Sequence, residues 1–285
     1  MNLKNNKLKI LIILISVIIG FTLFFTWQNN DIVISKFNYY NSKIPKDFNN
    51  FKIAHISDLH NKSFGNNQKF LLNKLKRISP DIIVITGDLI DSKKYNLDTS
   101  MIFIAGATKI APVYYVSGNH EAWSGKFDII IEKLKNYGVN ILNDTEINIK
   151  NGESSISLLG LNDPALLGYN YLDGLNLTNM ISNLNQWSSK NNFKILLSHR
   201  PELFDLYLEN NMDLVFTGHA HGGQIRIPGI GGLIAPDQGL FPMYTSGSYT
   251  KDLTTMFVSR GLGNSIFPLR IFNRPEIISV TLKSI

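Results

Sequence analysis

Five short apolar runs in this chain end in the same way, with Ser or Thr followed, directly or after one Gly, by a side chain that can bind a metal ion. Each run is rich in Ile, Val and aromatic residues, a composition that predicts a buried β-strand. Open α/β sheets hold their sites at the carboxyl ends of the strands, so the five terminal side chains are expected to converge. The runs cover residues 51–58, 81–88, 112–119, 193–199 and 212–219, and they end at Asp58, Asp88, Asn119, His199 and His219.

Two further histidines, His60 and His221, follow strand ends at a spacing of two residues. The segments 58–60 and 219–221 read Asp-Leu-His and His-Ala-His, and in an extended segment the first and third side chains point the same way. Oxygen and imidazole donors together suit Mn²⁺, Fe or Zn²⁺ better than Ca²⁺ or Mg²⁺. The chain has no cysteine, which excludes thiolate metal sites, disulfides and cysteine nucleophiles. The pattern predicts one centre that holds two divalent metal ions.

The order of these motifs resembles a known family. The chain carries D-x-H at 58–60, G-D at 87–88, G-N-H-E at 118–121, a lone H at 199 and G-H-x-H at 218–221. This set resembles the calcineurin-like metallophosphoesterase superfamily. The tail at 222–226, 235–241, 259–263 and 274–276 looks like its bacterial membrane-associated branch, the YkuE/YaeI-type phosphodiesterases. The resemblance covers nearly all of residues 32–285 and implies an α/β fold, the four-layer α/β/β/α sandwich.

The resemblance also implies how the ligands are divided between the two ions. Asp88 would bridge them, because a carboxylate has two oxygens and can place one on each ion. A hydroxide held between the ions would attack phosphorus in line, so that no covalent phosphoenzyme is needed. The other ligands would be Asp58, His60 and His221 for the first ion, and Asn119, His199 and His219 for the second.

Three other polar residues lie in or near the motifs and are not expected to bind a metal ion. His120 follows a ligand without being one, and it is expected to protonate or stabilise the leaving oxygen. Glu121 could hold the His120 ring, although a surface role is the alternative. His55 lies inside a predicted strand and has no motif role, so it is interpreted as an ordinary core or surface histidine.

Three arginines are candidates for binding the substrate phosphate through their planar guanidinium groups, namely Arg200, Arg226 and Arg260. The alternative for each is a surface arginine or one paired with a carboxylate of the protein. The segment 228–242 is apolar and rich in glycine. It is either a loop that covers the substrate and dips toward a bilayer or a packed surface loop.

The N-terminus predicts a membrane anchor. Lys4, Lys7 and Lys9 precede an uncharged apolar run over residues 10–27, which as a helix is about 27 Å long, close to the thickness of the hydrocarbon core. Lysines in front of the run predict a single-pass protein of the cell membrane, with a cytoplasmic N-terminus and an extracytoplasmic catalytic domain. Residues 1–30 would form the anchor and 31–285 the phosphoesterase domain. A cleaved signal peptide is the alternative, although the A-x-A cleavage pattern is missing.

Periodicity and breaker residues predict the remaining elements. Residues after 222 are expected to form loops and strands only. The net charge of +6 suits anionic lipids or phosphate substrates, and no aromatic-interleaved basic patch indicates nucleic acid. The chain is expected to be a monomer. The predicted strands are 32–40, 147–149 and 156–161, and the predicted helices are 67–79, 97–110, 127–137, 179–187 and 201–209.

These observations favour hydrolysis of a phosphodiester or pyrophosphate bond at or near the membrane, and a lipid-linked or cell-envelope substrate is plausible. A phosphomonoesterase or phosphoprotein phosphatase on the same centre is the first alternative. A binding protein that keeps this fold without catalysis is the second, and it is disfavoured because all seven ligands and His120 are present.

Overall fold

Two six-stranded β-sheets stack face to face, and helices cover the outer face of each. The computed structural model describes residues 3–170, 174–264 and 267–285; the first two residues of the predicted anchor segment lie outside the described residues. The helices are α1 (Leu3–Asn30), α2 (Lys69–Ile78), α3 (Leu97–Ala107), α4 (Asn119–Trp123), α5 (Phe127–Asn136), α6 (Thr178–Ser188) and α7 (Phe204–Glu209). The strands are β1 (Val33–Asn41), β2 (Lys52–Ile56), β3 (Ile82–Thr86), β4 (Val113–Val116), β5 (Asn140–Ile141), β6 (Thr145–Asn151), β7 (Ser154–Gly160), β8 (Tyr169–Asn170), β9 (Gly174–Leu175), β10 (Lys194–Leu197), β11 (Leu214–Thr217), β12 (Arg226–Ile227), β13 (Gly231–Gly232), β14 (Ile234–Ala235), β15 (Gly239–Leu240), β16 (Gly247–Lys251), β17 (Thr254–Val258) and β18 (Glu276–Ser284).

The order of strands brings the ligand-bearing ends together. The first sheet has the order β1-β18-β2-β3-β4-β5 and the second the order β16-β17-β11-β10-β7-β6. Strands β2, β3 and β4 are parallel neighbours in the first sheet. Strands β7, β10, β11 and β17 are parallel neighbours in the second. Each parallel set therefore ends at one edge of its sheet.

Alternation of side chains along the strands builds the layers. In β3, Ile82 and Val84 pack between the sheets, while Ile83 and Ile85 pack under the helices, because successive side chains point to opposite faces. Helices α2, α3 and α5 cover the first sheet, and α6 and α7 cover the second. The predicted four-layer α/β/β/α sandwich is confirmed.

Several element boundaries differ from the predictions. The predicted helix 67–79 is a 3₁₀ turn at Asn66–Gln68 followed by α2, because Asn67 and Gln68 have left-handed backbone angles. The predicted helix 201–209 is likewise a 3₁₀ turn followed by α7. The five-residue α4 and the two-residue strands β5, β8 and β9 were not predicted, and the elements that were predicted one by one differ otherwise only at their ends.

Helix α1 is continuous from the predicted membrane segment into the domain. Among the described residues, one stretch, Asn6–Asn30, is long and apolar enough to cross a membrane. Its apolar side chains are exposed along the run, whereas Gln28 and Asn29 at its end are buried against the domain. Helix α1 thus ends in contact with the folded domain.

Candidate metal centre

All seven predicted ligands lie at one edge of the stacked sheets and are buried. Asp58, Asp88 and Asn119 follow β2, β3 and β4 of the first sheet, and His199 and His219 follow β10 and β11 of the second. The structure therefore brings together ligands that are separated by as many as 163 residues of sequence, from 58 to 221.

One group of ligand atoms surrounds the space between the Asp58–His60 turn and His221. His60 Nε2 lies 3.2 Å from His221 Nε2 and 3.5 Å from Asp88 Oδ2. His221 Nε2 is 3.5 Å from Asp58 Oδ1. Two imidazole nitrogens and two carboxylates thus face one another at distances that a shared cation can fill.

A second group lies on the other side of Asp88. His199 Nε2 is 3.3 Å from Asp88 Oδ2, 3.0 Å from Asn119 Oδ1 and 3.2 Å from His219 Nδ1. The two groups contain the residues that the family resemblance assigns to the first and the second ion, and metal binding by them stays a prediction. They meet at a single atom, Asp88 Oδ2.

The geometry of Asp88 differs from the expected one oxygen per ion. Oδ2 faces both groups, whereas Oδ1 accepts a hydrogen bond of 2.9 Å from the backbone N–H of His120. The N–H fixes the orientation of the carboxylate and leaves the same oxygen directed at both positions.

The ligand segments are turns, so the extended backbone that would direct both side chains of D-x-H or H-x-H the same way is not present. Asp58, His60, Asp88, His219 and His221 all have positive φ angles between 46° and 63°. Non-glycine residues adopt this left-handed region sparingly, and they do so at functional sites when the surrounding structure holds them there. The turns, rather than strand alternation, direct paired ligands to one point.

Two glycines permit the close approach of these turns. A Cβ on Gly87 would lie 2.4 Å from the backbone N of Gly118, and a Cβ on Gly118 would lie 2.3 Å from Asp88 Oδ1. A side chain at either position would push apart the two strand ends that carry Asp88 and Asn119.

The buried polar atoms fit bound cations. Within the described residues, Asp58 Oδ2 and Asp88 Oδ2 are buried without a hydrogen-bond partner. Burial lowers the pKa of His60 to about 3 and lowers the pKa of His221 as well, so both rings are neutral and can offer lone pairs. Carboxylate, amide and neutral imidazole donors are the forms in which these side chains bind divalent metals, and buried acceptors of this kind require a positive partner.

His120 lies beside the first group with its tautomer fixed. Its Nδ1 accepts the backbone N–H of Ser92 at 3.0 Å, so in the neutral ring Nε2 carries the proton. The ring is buried edge-on against His60, with centroids 4.5 Å apart, and also contacts Trp123. Ser92 was missed by the sequence analysis, and no motif marks it.

Glu121 does not hold the His120 ring and does not face solvent. Its buried carboxylate accepts backbone N–H groups from Asp88 at 2.8 Å, Leu89 at 2.7 Å and Gly118 at 2.8 Å. Burial and then the Asp88 charge raise the pKa of Glu121 to about 7. The residue orders the two turns that carry Asp88 and Asn119.

Arg200 has the contacts of the carboxylate-paired alternative. Its buried guanidinium donates to Asp163 at 2.6 and 2.9 Å and to Asp237 at 2.5 Å, and Nη1 is 3.1 Å from His219 Nε2. Asp237 Oδ2 also lies 2.9 Å from His219 Nε2. A carboxylate on the outer nitrogen of a ligand histidine fixes the ring orientation. Asp237 was missed as an individual residue, although its segment 235–241 was singled out.

Arg226 and Arg260 lie close to Gly222, which follows His221. Arg226 donates to Gly222 O at 2.9 Å and to Thr245 Oγ1 at 3.1 Å. Arg260 pairs with Glu276 at 2.9 Å, as in the carboxylate-paired alternative, and a Cβ on Gly222 would lie 2.9 Å from its Cγ. Both are placed beside the first group of ligands, and their role toward a substrate stays a prediction.

His55 is a buried histidine outside the ligand set. Its Nε2 lies 2.8 Å from Thr86 Oγ1, and the ring packs edge-on against Phe216 between the sheets. Burial lowers its pKa to about 3. This is the core histidine that the sequence suggested.

Comparison with known proteins identifies a matching family model, similar chains and a similar fold. Residues 51–223 match the family model described as calcineurin-like phosphoesterase. The chain is 32% identical over 254 residues to the uncharacterized metallophosphoesterase YkuE of Bacillus subtilis (strain 168), covering 85% of this chain and 82% of YkuE. It is 26% identical over 256 residues to the phosphodiesterase YaeI of Escherichia coli (strain K12), covering 81% and 82%. The crystal structure of TT1561 of Thermus thermophilus superposes with a TM-score of 0.50 at 14% identity, over 74% of this chain and 90% of that one, a likeness of fold.

Proposed function

The chain belongs to the calcineurin-like phosphoesterase family and is a hydrolase of phosphoester bonds, and we propose that it acts on phosphodiesters or pyrophosphates at a membrane with two divalent ions. The observation that carries this proposal is the pair of ligand groups that share Asp88 Oδ2, with His120 alongside. Ions held there would supply an activated water and neutralise charge on the phosphoryl oxygens. The relative YaeI, named a phosphodiesterase, supports the choice of a diester.

The protein's own residues account for metal binding and for stabilising the leaving group. Asp58, His60 and His221 would hold one ion, and Asn119, His199 and His219 the other, with Asp88 common to both. The neutral His120 ring carries its proton on Nε2 and would donate a hydrogen bond there to the leaving oxygen, which stabilises the negative charge that develops on it. Arg226 and Arg260 would bind the phosphate, because both lie next to the His221 turn. Arg200 is predicted to act indirectly, through His219 and Asp237.

Metal analysis combined with an activity screen tests this function. The purified full chain should contain about two divalent ions, and the screen should compare phosphomonoesters, phosphodiesters and pyrophosphates. Asp88→Asn should lose both ions or nearly all turnover, whereas Asp98→Asn, a change at an exposed surface ion pair, should behave like the parent protein. Active protein with one ion or none would refute the dinuclear centre. Preference for monoesters or phosphoproteins would favour the alternative reactions.

We also propose that α1 crosses the membrane, with the N-terminus in the cytoplasm and the domain outside. The lysines before the apolar run support this orientation, because positively charged flanks stay inside. Protease added to intact cells or protoplasts that express the full chain should digest the domain while a cytosolic control survives. Protection of the domain would reverse the orientation. A mature chain that begins after residue 27 would show a cleaved signal peptide.

A further inference from the structure

Six exposed apolar side chains lie in the segments that follow the His221 turn and precede Arg270. We call them the apolar rim, and they are Ile230, Ile234, Leu240, Phe241, Met243 and Phe267. The rim belongs to ordered structure: β14 pairs with β15, and the N–H of Phe241 donates to Leu233 O at 2.9 Å. Apolar side chains held outward by regular hydrogen bonding are characteristic of a contact surface.

The loop that carries the rim is joined to the end of α1 through two residues outside the rim. Phe272 contacts Phe24 of α1 edge-on, with ring centroids 5.7 Å apart. Its neighbour Ile271 accepts the N–H of Arg226 at 3.0 Å, which joins this contact to the loop that carries the rim. Since Phe24 lies near the end of the apolar run of α1, the domain would contact the helix close to the membrane surface.

The domain cannot turn freely about this contact. Asn29 Oδ1 accepts the backbone N–H of Arg270 at 2.9 Å, and Gln28 Oε1 accepts that of Asn273 at 3.2 Å. The guanidinium of Arg274 lies 4.8 Å from the ring of Trp27. An aromatic ring with a cation beside it is typical of the level of lipid headgroups.

The rim also adjoins the proposed active site. Asp237, from the same loop, lies 2.9 Å from His219 Nε2. Arg226, on this surface, donates to the neutral acceptors Gly222 O and Thr245 Oγ1, so these contacts leave its charge available for an anionic headgroup. The surface that would meet the membrane is therefore the surface that leads to the metal ligands.

We infer that the apolar rim inserts into the same bilayer that α1 crosses, so that the domain rests on the membrane with its metal centre opening toward the lipid headgroups. The occupant of this surface is the lipid bilayer, because the loop that carries the rim is joined through Ile271 and Phe272 to the apolar run of α1. The inference rests on the proposed anchorage by α1. It adds a second, independent contact with the lipid.

Single-cysteine variants test this contact directly, because the natural chain has no cysteine. Leu240→Cys and Met243→Cys place a polarity-sensitive fluorophore on the rim. Leu253→Cys is the matched control, since Leu253 is 80% exposed but precedes β17, at the opposite edge of the sheet from the ligands. Ile18→Cys reports on the span itself. The labelled full chains are reconstituted in vesicles of phosphatidylglycerol and phosphatidylcholine, with or without bromine on the acyl chains.

The rim labels and the Ile18 label should shift to the blue and be quenched by brominated lipid, whereas the Leu253 label should not change. If brominated lipid quenches the Ile18 label but the rim labels stay exposed to water, α1 crosses the membrane and the proposed contact of the rim with lipid is wrong. Absence of quenching at Ile18 would instead refute the anchorage by α1. Rim labels that are shielded without lipid quenching, and only at high protein-to-lipid ratio, would assign the surface to a second copy of the chain and overturn the inference.

Discussion

At the scale of single residues, one backbone hydrogen bond fixes both the orientation of the His120 ring and the nitrogen that carries its proton. The Ser92 N–H can only donate, so it assigns the lone pair to Nδ1 and the proton to Nε2. Asp88 shows the same principle, since the His120 N–H engages Oδ1 and leaves Oδ2 for both groups of ligands. Backbone donors therefore decide which atom of each reactive side chain faces the site.

The first prediction concerns the hydrogen bond that His120 Nε2–H would donate to the leaving oxygen. His120→Ala should retain the metal ions and slow turnover by roughly 10²–10³, the usual cost of removing one donor to a developing oxyanion. The loss should be largest for alkyl leaving groups of high pKa and smaller for aryl groups, which carry less charge on the leaving oxygen. Metal content and initial rates on a series of leaving groups provide the measurement. An equal loss across the series would argue against a hydrogen bond to the leaving oxygen.

The second prediction uses His55, whose pKa burial lowers from 6.5 to about 3. The unfolded chain binds a proton here that the folded chain excludes, so stability is fully present above pH 6.5 and falls as the pH drops toward 3. His55→Gln can keep a hydrogen bond to Thr86 but does not titrate. Between about pH 7.5 and 5.5 the parent should lose about 1.4 kcal/mol more unfolding free energy than the variant.

Comparing parent and variant removes the contribution of the other histidines, which both proteins share. Chemical unfolding at several pH values, with the same metal concentration in each sample, gives the two curves. Parallel curves would show that His55 is not held neutral by burial.

At the scale of elements, the strand ends and the helix that follows them form the site. Helix α4 begins at the ligand Asn119, and its third residue, Glu121, returns to bind the N–H groups of the Asp88 turn. One short helix thus ties together the ends of β3 and β4. The equivalent tie in the second sheet is the Arg200 guanidinium, which joins the turn after β10 to Asp163 and Asp237.

The third prediction concerns the junction between α1 and the domain. Asn29→Ala leaves the buried N–H of Arg270 without its acceptor and should lower the unfolding free energy of the full chain by about 1–3 kcal/mol. Asn30→Ala is the matched control, because its side chain donates only to Thr26 O on the exposed face of the same helix, and it should change stability by less than about 0.5 kcal/mol.

Both variants would be unfolded by denaturant in the same detergent micelle, with fluorescence of the buried Trp187 as the reporter. Equal stabilities for the two variants would mean that the end of α1 is not docked on the domain in solution.

At the scale of the whole molecule, the ligand set spans both sheets. Asp58, His60, Asp88 and Asn119 come from the first sheet, and His199, His219 and His221 come from the second. Bound ions would therefore cross-link the two halves of the sandwich as well as serve the reaction.

The fourth prediction follows from this cross-link. Removal of metal by a chelator should abolish activity and also lower the thermal unfolding temperature, because each ion at 100 times its dissociation constant contributes about 2.7 kcal/mol. Calorimetry of the full chain before and after chelation, and after metal is restored, gives the measurement. Asp88→Asn protein that has lost both ions should show no further fall in unfolding temperature on chelation. An unfolding temperature that chelation leaves unchanged in active parent protein would contradict a centre shared by both sheets.

The sequence by itself determined the types of candidate ligand, the strands that precede them and the four-layer fold. These features depend on local patterns: apolar runs of strand length, glycines at the turns, and ligands at fixed positions after each strand. The candidate membrane span in α1 could be predicted for the same reason, because it depends only on the length and the composition of the apolar run.

Only the tertiary structure decided how these parts meet. The sharing of Asp88 Oδ2 depends on a left-handed turn and on a backbone N–H that sequence patterns do not specify. Glu121 contacts Asp88, 33 positions away in the chain, and Ser92 contacts His120, 28 positions away. Asp237 contacts His219, 18 positions away. Short motifs indicate which type of side chain follows each strand. The packing of the two sheets and the turns around them fixes which atoms of these residues come within hydrogen-bonding and metal-binding distance.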